Sequence, residues 1–302
     1  MASPALCGGR CCVPAPGVIL LAGGLKPAPL AAATGVHPLW LAPDGTTSLL
    51  ARWVERLNEL ARACGEDADL EVRVVFDRSR DAAQTPRPIG RARVVFVSES
   101  GQYRGPAGVA RDVADSFVTS GVTLIAETNR WLGASLIPLI REHAERGAAV
   151  TVARQADGSP AGVYLASAEA LSLVPAKGFM DLKEQWLAKV IDAGLGVYVH
   201  TFAGVGAPAV RTREDLLWVA RAHAPAGEPW RVVSSRAEVD PSAVILESVV
   251  MPGARVGAGA VVARSVVAPG AAIDAGAACV DGAPAGDPDL AARMPLEAED
   301  AR

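Results

Sequence analysis

One stretch of this sequence carries residue types that let a phosphate or a flat base approach a main chain closely. Gly17-Val-Ile-Leu-Leu-Ala-Gly-Gly-Leu-Lys26 runs an apolar strand into the pair Gly23-Gly24. With no side chains in the way, the N–H groups of such a turn are open to a ligand, although a plain tight turn uses the same residues. The other chemistry-bearing residues are dispersed. His37, His143, His200 and His223 stand far apart, and no Ser or Cys lies in a recognisable nucleophile setting, so hydrolase-type catalysis finds no support. Cys7, Cys11 and Cys12 crowd the first dozen residues, but no Cys or His pair follows at metal-ligand spacing, and a frayed tail over 1–16 is the expectation. With Cys64 and Cys279 standing alone, the five cysteines form no disulfide framework, which points to a reducing, cytoplasmic setting.

The glycine turn needs a sheet to hold it, and the sequence supplies one. After the strand Val18 to Ala22 and a Gly/Pro loop, a helix reads near Ser48 to Cys64. Strands follow at Val72 to Phe76, Val94 to Val97, Val122 to Ala126, Ala149 to Ala153, Ala161 to Ala166 and Val197 to Thr201. Helices read near Ala107 to Asp115, Ala134 to Arg146, Ala168 to Val174, Met180 to Ala193 and Arg213 to Ala222, with apolar residues three and four apart. Such alternation predicts an α/β domain over 17–222, its mainly parallel sheet covered by helices on both faces. Ligands of such sheets bind at the carboxyl ends of strands, here the loops after Ala22, Val97 and Ala126.

The C-terminal part is a repeat. Glu247-Ser-Val-Val-Met-Pro-Gly-Ala recurs as Arg264-Ser-Val-Val-Ala-Pro-Gly-Ala, a displacement of 264 − 247 = 17 residues. Large apolar residues fall at Val239, Ile245, Val250, Val256, Val262, Val267, Ile273 and Cys279, at steps of five or six, with small residues between. One inward aliphatic per face and small corners are what a triangular coil requires, so a short left-handed parallel β-helix of hexapeptide repeats is predicted over 232–282. A linker over 223–231 precedes it and a flexible tail over 283–302 follows. A solenoid this short leaves its ends uncovered and is expected to lean on the preceding domain or on another copy, as a homo- or hetero-oligomer. The last histidine, His223, precedes the coils, which argues against a hexapeptide acyltransferase.

Composition narrows the partners. A net charge of -4, a pI near 5.7 and the lack of any Lys/Arg block argue against nucleic acid or an anionic membrane surface. No apolar run reaches membrane-spanning length, and the opening lacks the pattern of an export signal.

Leu21-Ala22-Gly23-Gly24-Leu25 resembles the opening motif of the sugar-1-phosphate nucleotidyltransferases, also called NDP-sugar pyrophosphorylases. Lys26-Pro27-Ala28 stands where their Gly-Thr-Arg would be, and His37-Pro38-Leu39 where Pro-Lys-Pro is expected. Arg104-Gly105-Pro106-Ala107-Gly108 is similar to the family's Gly-Thr-Ala-Gly loop, which lies against the base. Gly162-Val-Tyr-Leu165, Gly178-Phe-Met-Asp-Leu-Lys-Glu184 and Thr212-Arg-Glu-Asp-Leu216 fall at its later landmarks in order. Members often carry a C-terminal left-handed β-helix as well, so the resemblance spans roughly Gly17 to Gly282.

The resemblance implies a Rossmann-like three-layer nucleotidyltransferase domain. Its reaction joins a nucleoside triphosphate to a sugar 1-phosphate, giving an NDP-sugar and pyrophosphate. Leu21, Ala22, Gly23, Gly24, Gly105, Gly108 and Gly162 would then bind substrate, Lys26 would meet the triphosphate, Lys183 would contact the sugar phosphate, and Glu127 would hold Mg²⁺. Two departures are legible. The family's first metal-binding Asp falls at Glu127-Thr128-Asn129, and its second aligns with Ala209, which binds no metal. A catalytically inactive nucleotide-sugar-binding regulatory or scaffold subunit, a pseudoenzyme, is the alternative expectation.

Overall fold

A computed structural model describes residues 14–23, 27–65, 68–77, 87–99, 103–117, 121–227 and 229–294. Gly24, Lys26 and the three N-terminal cysteines lie outside them.

The chain runs through β1 (Gly17–Leu21), α1 (Pro29–Thr34), a 3-10 turn at Pro38–Trp40, α2 (Leu49–Cys64), β2 (Leu70–Phe76), β3 (Arg87–Ile89), β4 (Ala92–Ser98) and α3 (Gly105–Ala114). It continues with β5 (Val122–Glu127), α4 (Ile137–Arg146), β6 (Val150–Arg154), β7 (Pro160–Ser167), α5 (Ala168–Ser172), a π-helical turn at Leu182–Trp186, α6 (Leu187–Asp192) and β8 (Val197–Thr201). These strands form one eight-stranded, mainly parallel sheet of order β3-β4-β2-β1-β5-β7-β6-β8, in which β3 and β7 run against the rest. The α/β alternation read from the sequence is thus present. Two short helical pieces in the predicted Gly/Pro loop are additions. The first, α1, has Pro at its start and Gly35 at φ +67° as its left-handed cap, a pairing that defines even a six-residue helix.

Contacts divide the chain into two compact units, each discontinuous in sequence. One comprises residues 1–23, 55–127 and 133–207, and the other 24–54, 128–132 and 208–302.

In the first unit the sheet is covered on both faces. Ile19, Val75, Ile125, Val150 and Tyr164 point to one face, where Ala107, Val109 and Ala110 of α3, Leu171 of α5, Trp186 and Val190 pack against them. Trp186 is fully buried and its indole N–H donates to the Ala170 carbonyl at 2.8 Å, pinning the π-helical turn. That turn opens the helix predicted from Met180, because the Asp181 carboxylate caps it by accepting from the N–H groups of Lys183 and Glu184. On the other face lies α4, whose buried His143 meets Thr151 of β6 at 2.9 Å.

The second unit contains α7 (Arg213–Arg221), the short strands β9 (Arg231–Val233), β10 (Glu238–Val239), β11 (Val244–Leu246), β12 (Ser248–Val250), β13 (Arg255–Val256), β14 (Val261–Ala263), β15 (Val266–Val267), β16 (Ala272–Ile273) and β17 (Ala278–Val280), and α8 (Pro288–Ala292). The chain visits three parallel three-stranded sheets in turn, β10-β13-β16, β11-β14-β17 and β15-β12-β9. Every step is one 17-residue repeat: Val239 pairs with Val256 and Val256 with Ile273, and Ile245 pairs with Val262 and Val262 with Cys279. All eight apolar positions of the repeat line one core: six are buried and Val239 and Cys279 are partly so.

At the corners Glu247, Arg264 and Asp281 take positive φ of 47°, 47° and 51°, a conformation disfavoured for side-chain-bearing residues. Hydroxyls one repeat below hold the second and third corners. Ser248 Oγ accepts from the Ser265 N–H, and Ser265 Oγ accepts from the Gly282 N–H, both at 3.0 Å. β9 begins inside the predicted linker. Part of the predicted flexible tail is ordered too: Gly286 N–H donates to Thr34, Asp287 N–H donates to Pro269, and α8 follows.

Candidate functional site

The strand order reverses direction at β1. From β1 the chain moves outward to β2 and β4 on one side, then returns through α3 to β5 on the other, and all four strands are parallel. A crevice outside the carboxyl ends of β1 and β5 is where such a sheet receives a ligand. Leu21 is in register with Glu127 there, so the glycine turn and the candidate metal ligand leave neighbouring strand ends together.

The chain leaving β1 is closely packed at Ala22 and Gly23. Ala22 N–H donates to the Val75 carbonyl at 2.8 Å, and a Cβ at Gly23 would lie 2.8 Å from the Asp77 nitrogen and 3.3 Å from Glu99 Oε1. Gly23 is therefore required by the close passage of the chain after β2. Glu99 is set beside it by its own N–H, which donates to the Phe76 carbonyl at 2.9 Å. Carboxylates thus stand at the ends of three of the four parallel strands around β1: Glu99 after β4, Asp77 after β2 and Glu127 at the end of β5, with Gly23 of β1's exit between the last two. Sequence reasoning found only Glu127, yet the signal was present as an acid at the end of each apolar strand.

Gly105 and Gly108 sit at the start of α3, buried under protein. Gly105 has φ +71°, and a Cβ there would lie 2.6 Å from the Met180 carbonyl and 2.8 Å from the Phe179 ring. The Met180 carbonyl accepts from Ala107, and Met180 N–H donates to the Arg104 carbonyl. At Gly108 a Cβ would meet Cβ of Arg104 at 2.6 Å. Both glycines are explained by close packing of chain on chain. Arg104 is itself buried, bonding Asp112 through Nε and Nη2 at 2.9 Å each and the Pro175 carbonyl at 2.9 Å. Beside it lies a cavity of about 290 Å³, lined by Val75, Val97, Ser98, Glu99, Arg104 and Val109 among others.

The remaining sites predicted from the sequence are scattered. Gly162 has φ +67° where β7 slips register against β6, between Val152 and Arg154, a bulge position that needs glycine. Lys183 is exposed in the first turn after Asp181. In the second unit, the Nδ1 of His37 accepts from Leu39 N–H and caps the 3-10 turn, while Leu39 is buried. Thr212-Arg-Glu-Asp215 forms a reciprocal capping box at the start of α7. In that unit, too, the segment after β5 pairs with the aligned second metal position: Arg130 bridges Ala209, and Val210 N–H donates to Asn129 at 2.7 Å.

Sequence reasoning overlooked an aromatic pair. Tyr103 and Phe179 stack with ring centroids 5.4 Å apart and 29° between planes, and remain 39% and 48% exposed. Burial of its inner face, and then the negative charges of Glu99 and Asp181, raise the pKa of the Tyr103 hydroxyl above its usual value.

Among the described residues no group of three or more His, Cys, Asp or Glu side chains gathers to hold a metal ion, and no helix is long and apolar enough to cross a membrane. Comparison with models of known protein families found no match, and comparison with curated proteins found none either.

Proposed function

We propose that this chain binds a nucleotide or nucleotide-sugar on a Rossmann-like, three-layer sheet of the sugar-1-phosphate nucleotidyltransferase type, and that its C-terminal repeats form a left-handed β-helix. The observation that carries the reading is the register of Leu21 with Glu127 at the point where the strand order reverses. A glycine turn with a carboxylate on the adjacent strand end is suited to a phosphate chain on the main-chain N–H groups and its counter-ion on the carboxylate. The activity that goes with this reading is transfer of a nucleotidyl group from a nucleoside triphosphate to a sugar 1-phosphate, in a cytoplasmic protein.

One observation favours a second reading, a catalytically silent regulatory or scaffold subunit that assembles through its β-helix. Where the resemblance asks for a second carboxylate stands Ala209, whose main chain bridges that of the buried Arg130. A methyl group offers no oxygen to Mg²⁺, so Ala209 does not fit as a second metal ligand.

Calorimetric titration of the whole chain with nucleoside triphosphates and nucleotide-sugars, paired with a pyrophosphate-release assay over sugar 1-phosphates, tests both readings. Binding with turnover supports the transferase, and binding without turnover the silent subunit. Absence of binding across the panel overturns the transferase and the nucleotide-sugar-binding subunit and leaves only a scaffold role.

A further inference from the structure

The stacked pair Tyr103 and Phe179 is unusual among the chain's large apolar side chains, because two rings lie against each other and both keep more than a third of their surface in water. Its placement is fixed from beneath. Phe179 rests on Gly105, whose missing Cβ leaves room for the ring, and Met180 next to it is hydrogen-bonded through its main chain to Arg104 and Ala107. The platform is therefore rigid on its protein side and open on the other. Its neighbours are acceptors: Glu99 lies against Gly23 at the strand ends, and Asp181 follows Phe179 by two residues. Asp181 commits Oδ1 to the helix start, and its second oxygen keeps its acceptor capacity.

We propose that Tyr103 and Phe179 form the stacking platform for the base of the bound nucleotide, and that Glu99 and Asp181 beside it select a base carrying an exocyclic amino group. The inference rests on the nucleotide-binding reading. Aromatic rings stack on any base through the π-face, whereas carboxylates accept from an amino N–H and repel a keto oxygen at the same position. This moves the base contact off the buried glycines Gly105 and Gly108 and onto the aromatic pair, whose Phe179 covers Gly105. Cytosine and uracil nucleotides are the sharpest comparison, since they differ in this one edge.

Titration of CTP and UTP into the whole protein and into Phe179→Ala, Phe179→Trp and Glu99→Gln tests it, with the melting temperature of each variant as a folding control. The expected result is tighter binding of CTP than UTP by about tenfold. Phe179→Ala should weaken both by about tenfold, with affinity kept in Phe179→Trp. Glu99→Gln should narrow the CTP preference. If the wild type binds nucleotides and folded Phe179→Ala binds them equally well, the platform is wrong and the nucleotide reading stands. Equal binding of CTP and UTP overturns the selection by carboxylates, and a wild type that binds no nucleotide overturns inference and reading together.

Discussion

Arg104 grips Asp112 with two nitrogens, both at 2.9 Å, and the same guanidinium reaches the Pro175 carbonyl, so one side chain joins the start of α3, its middle and the segment that carries Phe179. Because Arg104 is buried and Asp112 half exposed, part of this pairing is screened by water. Replacing Arg104 by Ala leaves the Pro175 carbonyl and Asp112 without their partner. A loss of about 2 kcal/mol in a urea melt is expected, with protease sensitivity rising around residues 175–180. Unchanged stability would show that the clamp is incidental.

Gly105 is constrained twice, by its positive φ and by the Met180 carbonyl 2.6 Å from any Cβ. Gly105→Ala is therefore expected to destabilise by more than the ~1 kcal/mol of the left-handed conformation alone, since main chain must move. Gly121→Ala, also at positive φ but with no atom near its Cβ position, carries only the conformational part. Thermal melts of the two variants check the order.

The coil core sets a third expectation. Val262 is fully buried at the middle of three rungs, whereas its neighbour Val261 points outward and is 36% exposed. Val262→Ala should lower stability by about 2 kcal/mol, and Val261→Ala by a few tenths. Equal effects would contradict the inward and outward alternation.

Acid should weaken the first unit through His143. Burial holds its pKa below the ordinary histidine value, so the unfolded chain binds the proton more readily than the folded one. The stabilisation is complete above the unfolded value, near 6.5, and is lost as pH falls through that value towards the folded one. Stability measured between pH 7.5 and 5 should decline with a slope of at most about 1.4 kcal/mol per pH unit from this group. His143→Gln should flatten the decline.

Glu127 provides a test on the functional side. Glu127→Gln removes the charge at the end of β5 while keeping its shape; on the proposed transferase reading, Mg²⁺-dependent enhancement of nucleotide binding should then fall by about tenfold, with metal-free binding little changed. A variant that keeps the full metal effect would remove Glu127 from the site.

Periodicity alone determined much of this molecule. The inward positions from Val239 to Cys279 and the strands from Val18 to Thr201, all but the three-residue β3, could be read because a side chain's face follows from its spacing, a local property of strand and coil. What the sequence withheld were relationships between distant segments. Gly105 and Gly108 carry the composition of an open cradle, and only the fold lays Phe179 and Met180 over the first and the Arg104 side chain over the second. Tyr103 and Phe179 are separated by 76 positions in the chain and form a pair only because the loop after α5 returns to the start of α3. Likewise, the acids after β2, β4 and β5 become a row when the sheet orders those strands around β1. Strand order is settled by packing of whole layers, and no local pattern of residues encodes it.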